Sequence, residues 1–157
     1  MRLEYFQMID RFVEVNIGER RTRSICTVPK ESTVFEGHFP GYPLMPGVLL
    51  IEAMAQTAGW LVIAVTRFTR MPFFAALKEA KLRSFVTPGQ ALSLSARLVH
   101  EGSGFAIADA EIRCDDKLVC NANITFRLVE FPNPEFRANM ERMAAILEFP
   151  MGALAHG

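Results

Sequence analysis

A histidine and a glutamate fourteen positions apart, His38 and Glu52, are the side chains of this sequence whose setting suits acid–base chemistry. His38 lies in a segment braced by three prolines, and histidine titrates near neutrality, so it can serve as a base. Glu52 lies in the apolar run 48–55, where the surroundings favour a carboxyl that keeps its proton and acts as a general acid. Taken singly, each residue has a plainer alternative: a structural or surface histidine, and a carboxylate that faces water or an ion pair.

The start of a helix could supply the third element of such a site. Proline is tolerated in the first turn, so Pro46 and Gly47 predict a helix start, and the apolar run predicts that the helix continues to about Thr66. The unpaired backbone N–H groups of Gly47 and Val48 could polarise a carbonyl oxygen, and Gln56, one turn after the glutamate, could hold its carboxyl. A base, an acid and oxyanion donors together suit removal of a proton α to a carbonyl and loss of a leaving group from the β carbon.

The rest of the sequence predicts an α+β fold that surrounds this helix. Alternating apolar and polar residues are typical of half-buried strands. Strands are predicted at 21–29, 73–85, 92–98, 105–114 and 118–128, with an irregular segment at 30–46. Residues 5–15 are predicted to form either a strand or a short helix followed by a strand. Because the helix lacks a polar face, the simplest arrangement wraps an antiparallel sheet around it.

A second helix is predicted over residues 133–149. Asn133 can cap it, with Pro134 at its first position. One stripe at helical spacing is apolar: Phe136, Met140, Met143 and Leu147. This amphipathic C-terminal helix is expected to pack on the domain or on a partner chain, and we divide the sequence into a main domain, 1–130, and a helical extension, 131–157.

Composition excludes several classes of function. The chain of 157 residues suits one main domain, and its zero formal net charge does not favour nucleic-acid binding. Its three cysteines are widely spaced and form no ligand cluster with histidine, so we expect no disulfide framework, no metal site and a cytoplasmic location. Residues 44–65 approach the length of a membrane span, but Glu52, Gln56 and the Pro46–Gly47 break favour a buried core helix over membrane insertion. No signal-peptide pattern is expected at the N-terminus.

The segment GHFPGYPLMPGVLLIEAMAQTAG, residues 37–59, resembles the signature of the FabZ-type 3-hydroxyacyl-acyl carrier protein dehydratases of type II fatty-acid synthesis. The histidine-to-acid separation also matches that signature. Two further segments resemble the family: MIDRFVEV at 8–15 and AKLRSFVTPGQALSLSARL at 80–98. Together the resemblance covers roughly residues 5–129.

This resemblance implies a hotdog fold and a homodimer or dimer-based hexamer with the site at the subunit interface. By the family pattern, His38 of one chain would take the C2 proton of a (3R)-3-hydroxyacyl thioester. Glu52 of the other chain would protonate the departing hydroxyl, leaving the trans-2-enoyl thioester and water. The N–H of Gly47 would bind the thioester oxygen and Gln56 would orient the acid. Three more residues would line an acyl tunnel: Phe39, Pro46 and Val48.

The resemblance implies no cofactor, and it implies a partner. The substrate would arrive on the phosphopantetheine arm of an acyl carrier protein. Carrier proteins of this pathway are typically acidic, so a basic docking surface is expected. Five candidates lie close in sequence: Arg67, Arg70, Lys78, Lys81 and Arg83. Ordinary solvated charge is the alternative interpretation of these residues.

The chain also departs from the family pattern. Ser84 and Phe85 replace a usual Arg-Pro pair, phenylalanines stand at 68, 73 and 74, and the C-terminal helix is added. These departures predict a specialised paralogue for an unusual acyl chain, such as a very long or hydroxylated one for lipid A or another lipid. Two other functions stay open: a hotdog acyl-thioester hydrolase, which would need the helix carboxylate ionised to activate water, and a non-catalytic acyl-carrier binding subunit.

Overall fold

A computed structural model describes residues 1–154 of the chain. Six strands and three helices form its framework. In chain order they are β1 (Arg11–Asn16), β2 (Arg21–Thr27), α1 (Thr33–Gly37), α2 (Gly47–Val65), β3 (Met71–Leu82), β4 (Ala91–Gly102), β5 (Phe105–Cys114), β6 (Lys117–Val129) and α3 (Pro134–Ile146). Short 3-10 helices lie at Leu3–Tyr5 and Met151–Leu154.

The strands form one antiparallel sheet in the order β1-β2-β4-β5-β6-β3. Alternate side chains of β4, β5 and β6 are buried, as the period of two predicts. These buried faces form the core together with α2, whose side chains are buried on nearly every side beyond its first turn. The predicted sheet wrapped around a central helix, the hotdog arrangement, is confirmed.

Helix α2 meets the length and composition of a membrane span, but 67% of its apolar window is buried inside this fold. Its interior polar groups have partners. The buried Thr57 hydroxyl lies 2.8 Å from Ser24 Oγ and donates to the carbonyl of Ala53 at 3.0 Å. The sheet therefore supplies the apolar surroundings that this helix requires, as the sequence predicts for a core helix.

Of the two predictions for residues 5–15, a continuous strand is wrong, and a short helix followed by a strand is closer to the structure. Residues 5–10 are not a strand, and β1 begins at Arg11. The side chains of Met8 and Ile9 are both buried, which an alternating strand does not allow. The N–H of Met8 donates to the side chain of Gln56 at 3.1 Å instead of to a neighbouring strand. Apolar content here reflects packing on α2, not strand pairing.

The segment 30–46, predicted to be irregular, contains one short helix, α1. Ser32 caps it, because its Oγ accepts from the N–H of Val34 at 3.1 Å. The predicted C-terminal helix is confirmed as α3 but ends at Ile146 rather than at 149, where Glu148 takes a left-handed conformation with φ of 52°. At its start, Asn133 Oδ1 accepts from the N–H of Phe136 at 2.7 Å.

Of the two expected environments for α3, the structure shows packing on its own chain. Ala144 and Leu147 are buried in a second apolar cluster with Trp60 and Phe149. The rings of Trp60 and Phe149 lie 5.2 Å apart, and the N–H of Phe12 donates to the carbonyl of Leu147 at 2.8 Å. The helix thereby covers the C-terminal half of α2.

Two cysteines serve as core side chains. Cys26 and Cys120 are buried and carry free thiols. Burial raises the pKa of Cys26 to about 12 and that of Cys120 to about 11, so both stay protonated at neutral pH.

Candidate active site

His38 lies at the C-terminal cap of α1. Its Nδ1 lies 3.0 Å from the carbonyl oxygen of Leu44, and its ring stacks on Phe39 with centroids 4.2 Å apart. A carbonyl oxygen can only accept, so this contact places the proton of a neutral imidazole on Nδ1. Nε2 is then the acceptor nitrogen, which is the form that a base requires.

The loop around His38 is held by backbone hydrogen bonds. The carbonyl of His38 accepts from Leu44 N at 2.9 Å, and the N–H of Met45 donates to Val86 O at 2.8 Å. Phe39 and Tyr42 exchange backbone hydrogen bonds of 3.0 and 2.9 Å, and the His38–Phe39 peptide bond is cis. The hydrogen bonds position the imidazole before any substrate arrives.

The N-terminal segment anchors the same loop from the other side of α1. The Glu4 carboxylate accepts from Ser32 Oγ at 2.6 Å and from the N–H of Thr33 at 2.9 Å. The Ser32 hydrogen bond, followed by backbone N–H groups, lowers the pKa of Glu4 to about 2. Sequence spacing does not reveal this contact, because Glu4 lies almost thirty positions before α1.

His38 and the start of α2 meet in one cavity of about 430 Å³. Its lining is mainly apolar: His38, Phe39, Leu44, Met45, Gly47, Leu50, Leu82, Arg83, Ser84 and Phe85. As the first residue of α2, Gly47 has no intrahelical acceptor for its N–H. A Cβ at this position would overlap Leu82 Cδ1, so any larger residue here requires the Leu82 side chain, which also lines the cavity, to shift. The structure thus joins the predicted base to a predicted oxyanion donor.

The Glu52 carboxyl is held one turn from Gln56. Gln56 Nε2 donates to Glu52 Oε1 at 3.0 Å and to the carbonyl of Phe6 at 2.6 Å, while Gln56 Oε1 accepts from Met8 N at 3.1 Å. These contacts fix which end of the Gln56 amide is the oxygen and which is the nitrogen, so the NH2 group faces the Glu52 carboxyl. The two contacts to the N-terminal segment were not apparent from the sequence, since backbone groups carry no residue signature.

The structure does not place the two predicted catalytic side chains around one cavity of the described chain, residues 1–154. Glu52 is absent from the lining of the His38 cavity. It is half-buried on the open N-terminal half of α2, one turn from Val48, which is 72% exposed. Pro46, buried at the N-cap, also lies outside that lining.

The five basic candidates for carrier docking are spread over the fold. Arg83 lines the His38 cavity, and its guanidinium donates to Asn121 Oδ1 at 2.9 and 3.1 Å. Arg70 forms an ion pair with Glu130 at 3.3 Å and lies beyond the C-terminal end of α2, as does Arg67. The two ends of this helix are separated by about 28 Å. Lys78 and Lys81 lie on the exposed strand β3.

Residues 2–123 match the family model described as a FabA-like domain. The chain belongs to this family. It is 36% identical over 131 residues to the 3-hydroxyacyl-acyl carrier protein dehydratase FabZ of Symbiobacterium thermophilum, covering 83% of this chain and 92% of the relative. It is 39% identical over 121 residues to the FabZ of Levilactobacillus brevis, covering 75% and 80%. The predicted membership in the FabZ-type group is confirmed.

The fold of this FabZ-type chain also recurs among solved structures. Protein PA5202 of Pseudomonas aeruginosa matches it with a TM-score of 0.63 and 23% identity, over 80% of this chain and 93% of that one. The family match ends at residue 123, within β6, so α3 lies outside it.

Proposed function

We propose that this FabZ-type chain dehydrates a (3R)-3-hydroxyacyl thioester carried by acyl carrier protein to the trans-2-enoyl thioester, a step of fatty-acid synthesis. The observation that carries the proposal is the His38 imidazole, whose Nε2 is the acceptor nitrogen, in one cavity with Gly47, the first residue of α2. Family membership supports the same reaction.

The reaction is an elimination in which each group has one task. Nε2 of His38 removes the proton from C2, and the electron pair moves toward the thioester carbonyl. The N–H groups of Gly47 and Val48, at the positive end of α2, stabilise the charge that develops on the oxygen. Glu52 donates a proton to the C3 hydroxyl, which leaves as water while the C2–C3 double bond forms. No cofactor is required, because the thioester carbonyl accepts the electron pair.

The acid comes from a second copy of the chain. Glu52 lies outside the lining of the His38 cavity of its own chain, which supports a site completed by Glu52 of a second copy. Strand β3 ends the sheet and exposes four large apolar side chains: Phe73, Phe74, Leu77 and Leu82. An open edge strand with such an apolar surface is a typical interface. We infer a homodimer joined at β3 and the open half of α2, alone or as the unit of a hexamer.

The substrate enters from the mouth of the His38 cavity. Leu82 and Phe85 supply apolar wall, and Phe39, Pro46 and Val48 would complete an acyl tunnel in the dimer. Arg83 lines this cavity, and its charge suits an acidic carrier protein and the phosphate of the phosphopantetheine arm. Such a reaction places the enzyme with other soluble synthesis enzymes in the cytoplasm.

The test uses subunit complementation. His38→Ala and Glu52→Gln should each slow hydration of a crotonyl thioester, followed as loss of enoyl absorbance, by about 10²- to 10⁴-fold. When the two variants are mixed and reassociated, each mixed dimer contains one intact site, so the activity should recover to about a quarter of the wild-type value. Differently tagged chains verify that mixed dimers form. Mixed dimers without activity would contradict the shared site, and release of free thiol would identify a hydrolase instead.

A further inference from the structure

The C-terminal helix α3 and the N-terminal segment enclose a groove that the proposed reaction does not use. Its volume is about 510 Å³. Much of its wall is apolar and includes Ile9, Trp60, Met140, Met143, Ile146 and Leu147. Four of these six side chains belong to α3 or follow it directly, beyond the residues that match the FabA-like family.

The groove begins beside the catalytic acid. Glu52, Gln56 and Trp60 are spaced by one turn and share one face of α2. Gln56 lines the groove and also donates to the Glu52 carboxyl, so it separates the two sites by a single side chain. From Glu52 to Trp60 the helix rises about 12 Å. A chain that leaves the reacting carbons along this face reaches α3 at that distance.

Two charged side chains that line the groove, Arg2 and Asp10, have contacts within the chain. Arg2 donates to Gln7 Oε1 at 3.3 Å and lies over the ring of Tyr5 at 4.1 Å. Asp10 accepts from the N-terminal amino group and from Thr27 N. The α3 side of the groove offers hydrocarbon and thioether surface to a ligand, and methionine side chains adapt readily to a flexible apolar ligand.

We propose that this groove binds the distal part of the substrate's acyl chain, so that α3 makes the enzyme selective for long-chain thioesters. The inference rests on the proposed function for the identity of the substrate. Each methylene that enters the groove should tighten binding about fourfold until the groove is filled. Acyl chains too short to extend about 12 Å beyond the reacting carbons should gain nothing.

Trp60 provides a direct readout, because it is the only tryptophan of the chain and lines the groove. Saturated butyryl-, octanoyl- and dodecanoyl-pantetheine lack the 3-hydroxyl and the double bond, so the enzyme cannot convert them. Titration of the full-length protein should change Trp60 emission with the dodecanoyl thioester and leave it unchanged with the butyryl and octanoyl ones, whose chains end well short of that distance.

Two neighbouring substitutions on α3 form a matched pair. Ile146→Glu places a carboxylate in the groove at a side chain that is 70% exposed, so folding is preserved. Ala145→Glu adds the same charge at the next, exposed position, which does not line the groove. Dodecanoyl binding should weaken at least tenfold in the first variant and less than twofold in the second, while crotonyl hydration stays at the wild-type rate in both.

The outcomes separate this inference from the reaction itself. Equal dodecanoyl affinity in the two variants, or no change of Trp60 emission at any chain length, would overturn the proposal that the groove binds the acyl chain, even if crotonyl hydration proceeds. A Trp60 response that Ile146→Glu alone removes would support the groove even if no enoyl thioester is hydrated. In that case the dehydratase assignment fails and acyl binding stands.

Discussion

Replacing Gln56 with leucine tests whether the N-terminal segment positions the catalytic acid. The amide of Gln56 joins three groups: Glu52 Oε1 at 3.0 Å, the carbonyl of Phe6 at 2.6 Å and the N–H of Met8 at 3.1 Å. Leucine has a similar size but makes none of these hydrogen bonds. The variant therefore removes the link between the segment and the acid while keeping most of the volume at this position.

The structure allows the effects on stability and on catalysis to be estimated separately. The two bonds to the N-terminal segment contribute about 1 kcal/mol each, so Gln56→Leu should lower the free energy of unfolding by about 2 kcal/mol and Tm by about 4 to 8 °C. The bond to the acid involves an ionisable group and is worth about 1.5 to 3 kcal/mol. If all of this free energy stabilises the transition state, kcat falls about 10- to 150-fold in the variant while KM changes little.

The assay is hydration of an enoyl thioester below the Tm of every variant, arranged as a double-mutant cycle with Glu52→Gln. In the Glu52→Gln background, Gln56→Leu should cost less than about twofold, because no acid is left to orient. Thr57→Val is the control: it removes the buried hydrogen bond to Ser24 and loses comparable stability, but kcat should stay near wild type. Equal losses of kcat from Gln56→Leu in both backgrounds would refute positioning by Gln56.

Three further predictions concern other parts of the fold. Gly47→Ala places a Cβ against Leu82 Cδ1 and displaces this side chain of the cavity wall, so kcat/KM should fall about tenfold and recover when Leu82→Ala is added. A double variant as slow as the single one would argue against this clash. The pKa of Glu4 is lowered from 4.5 to about 2, so its contribution to stability is present above pH 4.5 and is lost as the pH falls toward 2. Glu4→Gln should therefore have a lower Tm than the wild type at neutral pH, and the two Tm values should converge near pH 2. An equal difference in Tm at both pH values would contradict this role of Glu4. Burial raises the pKa of Cys26 to about 12 and of Cys120 to about 11, so neither should be alkylated by iodoacetamide in the native protein at neutral pH, as mass spectrometry can check.

The local parts of the site were predictable from the sequence because each depends on neighbouring residues. Pro46 and Gly47 predict where α2 begins, and this start presents backbone N–H groups whatever the rest of the fold does. Glu52 and Gln56 are one turn apart, so their hydrogen bond follows from helical geometry alone. The strand pattern in the second half of the chain follows from the period of two, and β4 to β6 appear where it places them.

Contacts between distant segments were decided only by the tertiary structure. The carbonyl of Phe6 and the N–H of Met8 hold Gln56, yet backbone groups look the same in every residue type, so no sequence pattern identifies them. Residues 5–10 resemble a strand in sequence because they are rich in apolar side chains. In the structure, consecutive side chains of this segment are buried against α2 instead of alternating as in a strand. Local periodicity measures how one element repeats, and it contains no information on which distant element packs against it.

The sequence by itself determined the kind of chemistry: a histidine, a helix start and a carboxyl in one short segment, with a match to a known family. Only the tertiary structure decided how these groups are arranged. The carbonyl of Leu44 selects the Nδ1 tautomer of His38, and Glu52 lies outside the cavity of its own chain. Packing also placed α3 over Trp60, two turns of α2 beyond the acid. These outcomes depend on distances between elements, which are set by the shared core and not by the residues of any one segment.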